Sequence, residues 1–378
     1  MTDFSLYFHV PFCSRKCDYC HFYVVPNQER HQDTYMEGLA IEWRKRLPLI
    51  TGKRLTTVYF GGGTPSLLGP EKIGKIISWI AEKFPLEGIE ITLEANPENI
   101  TREQMEAYRN VGINRVSIGV QSFDDRLLLR LGRTHDAQTA INAVNNTYQA
   151  GITNISIDLM YELPSQSITS WHRTLSQAAL LPITHLSLYN LTIEPQTVFY
   201  KYRKDITAQL PDEDVSLKMY EMAIDLLEES GLWQYEISAF ARDGQISQHN
   251  IGYWTARPFI GLGPSAFSYW EGGRFQNVGN LNKYSSALKE DTFPVDFVEQ
   301  LQEEAQKCEL LAIYLRLRSG ICLEKFQEEY GAVNETTLGN IKKLTELGLL
   351  EKNDSQLALS KKGVLFYDTV AAEIIEAT

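Results

Sequence analysis

Six times between Phe4 and Ser230 a short apolar run gives way to a longer amphipathic one. The runs Phe4–Val10, Leu55–Phe60, Ile89–Leu93, Arg115–Val120, Ile155–Met160 and His185–Leu191 have the length and the β-branched or aromatic character of strands. Helical patterns follow each one, at about Gln28–Leu47, Ile73–Phe84, Thr101–Asn110, Ala137–Ala150, Ile168–Leu180 and Asp212–Ser230. Thr101 with Gln104 reads as a capping box, and Gly151 and Gly231 as helix stops. Strand–helix–strand units of this kind run parallel with right-handed crossovers. Six units rather than eight predict an α/β fold whose core, residues 1–233, is an open, partial (β/α)6 TIM-like barrel. A doubly wound sheet is the competing topology.

The pattern changes after Trp233. Residues 234–297 are rich in Gly, Tyr, Phe and Asn and read as a loop-rich connecting segment of short strands closing over the barrel mouth. Residues 298–378 return to helical periodicity at 300–317, 323–330 and 335–347. A hairpin about Asn353-Asp354-Ser355 and a final helix follow, the order of an α+β winged-helix-like domain. Winged helices often bind DNA, but residues 301–378 carry nine Lys and Arg against thirteen Asp and Glu. With a net charge of −12 over 378 residues, no phosphate-binding face and no nucleic-acid partner are expected. No apolar run reaches the roughly 18–20 residues of a membrane span. The N-terminus also lacks the order of a signal peptide, so the expected location is cytoplasmic.

Three of the five cysteines, Cys13, Cys17 and Cys20, fall in one short loop after the first strand, spaced C-x3-C-x2-C. Structural zinc takes four ligands, commonly as two pairs, and no second pair is present. His21 as a fourth ligand beside Cys20 would strain the loop, while Cys308 and Cys322 are isolated in C-terminal helices. Three thiolates favour a [4Fe–4S] cluster with one iron open to a further ligand. Gly61-Gly62-Gly63, directly after the second strand, lets backbone approach a ligand with amides free to donate. It is not a P-loop, since no Lys-Ser/Thr follows. Glu94, Gln121, Arg133 and Asp158 lie at or near the ends of later strands, and in a parallel barrel those ends share one mouth.

The segments YFHVPFCSRKCDYCHFY, YFGGGTPSLL, TLEANPE, RVSIGVQSFDDRLLLRLGRTH and SIDLMYELPSQS together resemble the radical S-adenosylmethionine superfamily. Its branch of oxygen-independent coproporphyrinogen III oxidases and heme chaperones is the most similar. The resemblance continues through LSLYNLTIEPQT, YEISAFA, HNIGYW and GLGPSAFSY. It implies that Cys13, Cys17 and Cys20 hold the cluster, and that Tyr7, Gly62 and Glu94 contact the S-adenosylmethionine that chelates the open iron. Tyr19, Gly63, Thr64, Gln121, Arg133 and Asp158 match a second S-adenosylmethionine site seen in the oxidase. The implied chemistry is reductive cleavage of the sulfonium to a 5′-deoxyadenosyl radical, with an electron donor as partner.

Within that branch the sequence departs from the oxidases. Their loop extends to a fourth cysteine where this chain has Phe22, and their N-terminal extension is long where only twelve residues precede Cys13. His249, Tyr253 and Trp254 match the HNxxYW motif associated with heme in the chaperones; a histidine offers an axial nitrogen, and the two aromatic residues could pack on the macrocycle. The bland alternative is a packing turn with His249 simply hydrogen-bonded. His9 reads as a loop-support residue, and His21 replaces an acidic residue frequent after the third cysteine. The expected function is heme binding and delivery to an acceptor protein. The runner-up is oxidation of a porphyrinogen, and the third reading is a radical enzyme for another substrate.

Overall fold

The structure, a computed structural model, describes residues 2–242, 244–352 and 356–376. Six parallel strands form its centre: β1 (Asp3–Val10), β2 (Arg54–Gly62), β3 (Glu90–Ala95), β4 (Arg115–Gln121), β5 (Asn154–Tyr161) and β6 (His185–Asn190). They pair in chain order, 1-2-3-4-5-6. A doubly wound sheet reverses direction at a switch point, so sequential order decides for barrel-like winding. The helices between them are α1 (Glu29–Ile50), α2 (Pro70–Ala81), α3 (Arg102–Asn110), α4 (Ala137–Gln149) and α5 (Ile168–Ala179), with α6 (Glu213–Glu229) following β6. Thr101 caps α3 by accepting from the Gln104 amide.

Side chains alternate along every central strand. Phe4, Leu6, Phe8 and Val10 on β1, Ile91 and Leu93 on β3, Val116 and Ile118 on β4, and Ile155 and Ile157 on β5 are buried in the apolar core. The intervening positions are polar and bond to one another across the barrel interior. Thr57 donates to Ser5 at 2.9 Å, Ser117 to Asp158 at 3.3 Å, and Ser156 lies 2.8 Å from His185 Nδ1. The alternation gives the barrel a polar lumen inside an apolar jacket.

The sheet does not close on itself. Its order continues past both ends of the six strands, with β7 (Trp233–Glu236) and β8 (Ala239–Ala241) beyond β6, and β9 (Phe259–Leu262), β10 (Phe267–Trp270), β11 (Gly273–Asn277) and β12 (Val295–Gln300) beyond β1. Strand β9 lies parallel to β1, with Tyr7 opposite Gly261. The connecting stretch thus widens the sheet at both edges. Its helix α7 (Gln248–Trp254) lies at the end of the barrel opposite the expected one. Glu90, the first residue of β3, accepts from the Gln248 and His249 amides at 3.0 and 2.9 Å, which fixes α7 under the strands' N-terminal ends.

Helix α8 (Leu281–Lys289) packs on α1. A buried carboxylate ties the two together: Glu42 accepts from the Gly263 amide at 2.9 Å, from Asn277 Nδ2 at 2.7 Å and from the Tyr284 hydroxyl at 2.7 Å. The C-terminal part holds α9 (Glu303–Tyr314), α10 (Leu323–Tyr330) and α11 (Glu335–Glu346), an antiparallel pair of Leu350–Lys352 with Leu357–Leu359, and α12 (Tyr367–Ile375). The expected turn at Asn353–Ser355 lies outside the described residues. Among the described residues no helix is long and apolar enough to cross a membrane.

Candidate cluster and cofactor site

The cysteine loop leaves β1 at Pro11 and is pinned on several sides. Phe12–Cys13 pairs with Val25–Pro26, closing the loop at its base. The Gly63 amide donates to Val10 O at 2.9 Å and the Thr64 amide to Phe12 O at 2.7 Å. On the far side Asp18 donates its amide to Leu131 O at 3.2 Å and accepts that of Phe199 at 3.0 Å. Such anchoring positions the three thiols over the strand ends.

The glycine run is explained by this anchoring. Gly62 has φ +112, and a Cβ there would stand 2.7 Å from the His9 ring. A Cβ on Gly63 would stand 2.6 Å from Phe12 O. Only glycine lets β2 approach the cysteine loop this closely. The expectation that these amides are free for a ligand is corrected: Gly62 donates to Glu94 Oε2 at 3.1 Å, and Gly63 and Thr64 are bonded to the cysteine loop.

A cavity of about 430 Å³ opens beneath the loop. Cys13, Cys17, Cys20, Tyr19, Gly62, Gly63, Thr64, Glu94, Gln121, Arg133 and Asp158 all line it. Tyr7 does not; its hydroxyl lies 3.1 Å from His9 Nδ1, behind the glycine run. Sequence reasoning missed Asn96, which donates to Thr64 Oγ1 at 3.0 Å and accepts from Arg133 Nη2 at 2.8 Å. Its signal was the LEANP segment already singled out for Glu94. Gln121 holds φ +66 at a register shift in β4, and its amide folds back over Gly119. A non-glycine residue in that region costs about 1–3 kcal/mol, tolerated where it aims a functional group.

Electrostatics divide the cavity. Burial, reinforced by the Asp158 charge, pushes Glu94 up to about 7, although Tyr59 and the Gly62 amide donate to it. Burial likewise raises Asp158 to about 6. Burial pushes the Cys13 thiol up to about 11 and raises Cys20. Opposite the carboxylates, Arg133 donates to Cys17 Sγ at 3.4 Å and to Gly119 O at 2.7 Å. Burial holds His9 down to about 4, so its ring is neutral and acts as the packing support expected of it. His21 and Phe22 are exposed on the rim with ring centroids 4.5 Å apart.

His249, Tyr253 and Trp254 lie at the other end of the barrel, on α7, and are not part of this cavity. His249 is 1% exposed, with Nδ1 2.7 Å from Thr57 Oγ1 and Nε2 2.9 Å from the Tyr253 hydroxyl. Both ring nitrogens are engaged, so in this conformation none is free for a heme iron. Trp254 stacks under Arg316 of the C-terminal part at 4.2 Å.

Known proteins are similar to this chain. The family model for the radical SAM superfamily matches residues 7–178, and that for the HemN C-terminal domain matches residues 301–366. The heme chaperone HemW of Bacillus subtilis (strain 168) is 33% identical over 369 residues, 97% of each chain. The mitochondrial radical S-adenosyl methionine domain-containing protein 1 of Danio rerio is 32% identical over 392 residues, covering 99% of this chain and 87% of that protein. In fold, the coproporphyrinogen III oxidase HemN from Escherichia coli, a radical SAM enzyme, superposes with a TM-score of 0.87 at 24% identity, covering 100% of this chain and 91% of its own. By its sequence over nearly its whole length, by its two domain matches and by its sheet, the chain belongs to the radical SAM superfamily, in the branch that holds HemW and HemN.

Proposed function

We propose that this protein is a heme chaperone on a radical S-adenosylmethionine scaffold. Cys13, Cys17 and Cys20 hold a [4Fe–4S] cluster, S-adenosylmethionine binds beside it, and heme passes to an acceptor protein. The donor set fits the cluster. Three thiols sit on one pinned loop, with Arg133 donating to the sulfur of Cys17 at 3.4 Å. A four-iron cluster takes each thiolate at a separate corner, so its ligands need not meet at a point. Among the described residues no three His, Cys, Asp or Glu side chains are drawn together around a single-ion position.

When bound, the reduced cluster supplies an electron to the sulfonium of S-adenosylmethionine. The chain's own residues would bind and orient that cofactor. Glu94 and Asp158 accept from its ammonium or ribose hydroxyls, while Gln121 and Arg133 offer donors to its carboxylate. Gly62, Gly63, Thr64 and Tyr19 shape the wall, and Tyr7 acts through His9.

The observation that carries the chaperone reading over the oxidase is Phe22. It stands 50% exposed on the cavity rim, at the position where the oxidases of the resembled branch carry a fourth cysteine. The names of the full-length relatives support the same choice. Decarboxylation of coproporphyrinogen III is the second reading, favoured by the polar cofactor wall being retained in full.

Titrating the full chain with hemin tests the proposal. A saturable Soret shift near one heme per chain is expected, followed by transfer to a heme-depleted b-type hemoprotein faster than from free hemin. Because both His249 nitrogens are engaged, His249→Ala keeps the shift. The absence of any saturable shift in the wild-type protein contradicts heme binding.

A further inference from the structure

The barrel floor and the barrel mouth are joined by one short line of side chains. At the floor, the Thr57 hydroxyl donates to Ser5 at 2.9 Å, which leaves it to accept from His249 Nδ1–H at 2.7 Å. That tautomer leaves Nε2 as acceptor for the Tyr253 hydroxyl at 2.9 Å. Glu90 fixes the backbone carrying the ring through the Gln248 and His249 amides. His249 is therefore held from both ring nitrogens and from its own amide.

Its face lies against Tyr59, with ring centroids 4.8 Å apart and planes 31° from parallel. Tyr7 packs against both rings, its centroid 6.1 Å from that of Tyr59 and 6.4 Å from that of His249. The Tyr59 hydroxyl donates to Glu94 Oε1 at 2.8 Å, and Glu94 stands in the cavity wall. Gly61 makes room for this stack, since a Cβ there would come within 2.9 Å of both the Tyr7 and Tyr59 rings.

We infer that His249 is a positioning residue for the cofactor site: from the floor it fixes the ring of Tyr59, whose hydroxyl orients the Glu94 carboxylate at the mouth. The inference rests on the reading of Glu94 as a contact for S-adenosylmethionine. It assigns His249 a part in cofactor binding that is independent of heme ligation. A floor residue in this role also couples α7, and the C-terminal part packed on it through Trp254 and Arg316, to the carboxylate at the mouth.

The groups facing Glu94 set the direction of the pH effect. Burial and then the charge of Asp158 on β5 disfavour its charge, while the hydrogen bonds from Tyr59 and the Gly62 amide and the cation of Arg115 on β4 favour it. Loosening Tyr59 removes a donor to the carboxylate, so the pH midpoint for binding a cationic cofactor moves upward.

The test is the dissociation constant of S-adenosylmethionine for the anaerobically reconstituted full chain, measured by calorimetry across pH 6–8.5. Cluster absorbance and melting temperature are recorded for every variant. Tyr59→Phe and His249→Ala are each expected to weaken binding about five- to tenfold and to raise the midpoint, the loss of one hydrogen bond to a charged group. The double variant is expected to be no weaker than the weaker single one, because the two act in series. His249→Gln, which keeps a planar donor and acceptor, is expected to recover most of the loss, and His249→Leu, which fills the site without a hydrogen bond, replaces His249→Ala if that variant does not fold. If Glu94→Gln and Tyr59→Phe weaken binding while His249→Ala, or His249→Leu in its place, binds with wild-type affinity and a wild-type midpoint, the inference is overturned and the Glu94 reading stands. If Glu94→Gln itself binds normally, the Glu94 reading fails and the inference falls with it.

Discussion

Arg133 donates to the sulfur of Cys17 at 3.4 Å across 116 residues of sequence, and the same guanidinium reaches Asn96 and Gly119. A charged donor fixed on the sulfur orients Cys17 from behind and balances the negative charge that a thiolate ligand brings to a cluster. Arg133→Gln keeps donors and removes the charge. Cluster affinity is expected to fall roughly 10–100-fold, as for other groups that support a metal ligand from behind. Iron and sulfide content after chelator challenge measures this, and Asn96→Ala is expected to give a smaller loss in the same direction.

The approach of β2 to the cysteine loop predicts a graded effect of added methyl groups. Gly63→Ala sets a Cβ against backbone, 2.6 Å from Phe12 O, so the loop itself must move. A destabilisation of about 1–3 kcal/mol is expected, with loss of cluster incorporation. The control is Gly339→Ala on an exposed helix face, where a Cβ meets nothing within 4 Å. There the expected change is a gain of about 0.5–1 kcal/mol. Urea denaturation with parallel iron analysis separates the two.

The buried carboxylates predict an unusual pH dependence for the protein without ligands. Glu94 stands near 7 and Asp158 near 6, against 4.5 and 3.8 for the free groups. A raised folded-state value means the folded protein binds more protons, so this stability is full below about pH 4 and is lost as pH rises through 7. At about 1.4 kcal/mol per unit, Glu94 alone accounts for roughly 3 kcal/mol. Glu94→Gln is expected to flatten the melting-temperature profile between pH 5 and 7.5 in apo protein. A profile equally steep in the variant would remove Glu94 from the account.

Glu42 organises the joint between α1, α8 and the strands beyond β1. Its oxygens accept from Gly263, Asn277 and Tyr284, with Arg46 Nε 3.6 Å away and the Arg46 guanidinium 4.5 Å from the Phe275 and Phe293 rings. Burial raises the Glu42 carboxyl, offset by these partners. Glu42→Ala leaves a buried cation and several donors unmatched and is expected to cost about 3–5 kcal/mol. Glu42→Gln, which keeps one acceptor, is expected to cost less, and chemical denaturation orders the two.

Much of the barrel was visible in the chain. Strands such as FSLYFHV and ISIDLM are long enough for their apolar residues to alternate, and the helices between them are capped where Thr101, Gly151 and Gly231 stand. The same alternation also held the polar lumen, since Ser5, Tyr7, His9 and Thr57, Tyr59 occupy every second place. The three cysteines marked the mouth because three thiols in one loop have few other uses.

What stayed hidden depends on distant partners. Strands of three to five residues at the sheet edges, such as Phe259–Leu262, are too short to show a period, and β9 finds its place only against β1. The position of α7 is decided by Glu90, 158 residues earlier, so HNIGYW could not be placed at the floor from its own residues. The glycine amides looked free because their acceptors, Val10 O and Phe12 O, belong to a loop whose path the sequence does not give.

The proposed delivery of heme and oxidation of a porphyrinogen are separable by turnover. The choice between them is tested most directly by incubating the anaerobically reconstituted full chain with coproporphyrinogen III, S-adenosylmethionine and a reductant, and following protoporphyrinogen by chromatography after oxidation. For a heme chaperone no catalytic turnover is expected, while the same preparation binds hemin and passes it to a heme-depleted acceptor. Multiple turnovers to protoporphyrinogen would contradict the chaperone reading and make this chain an oxidase with Phe22 in place of the fourth cysteine.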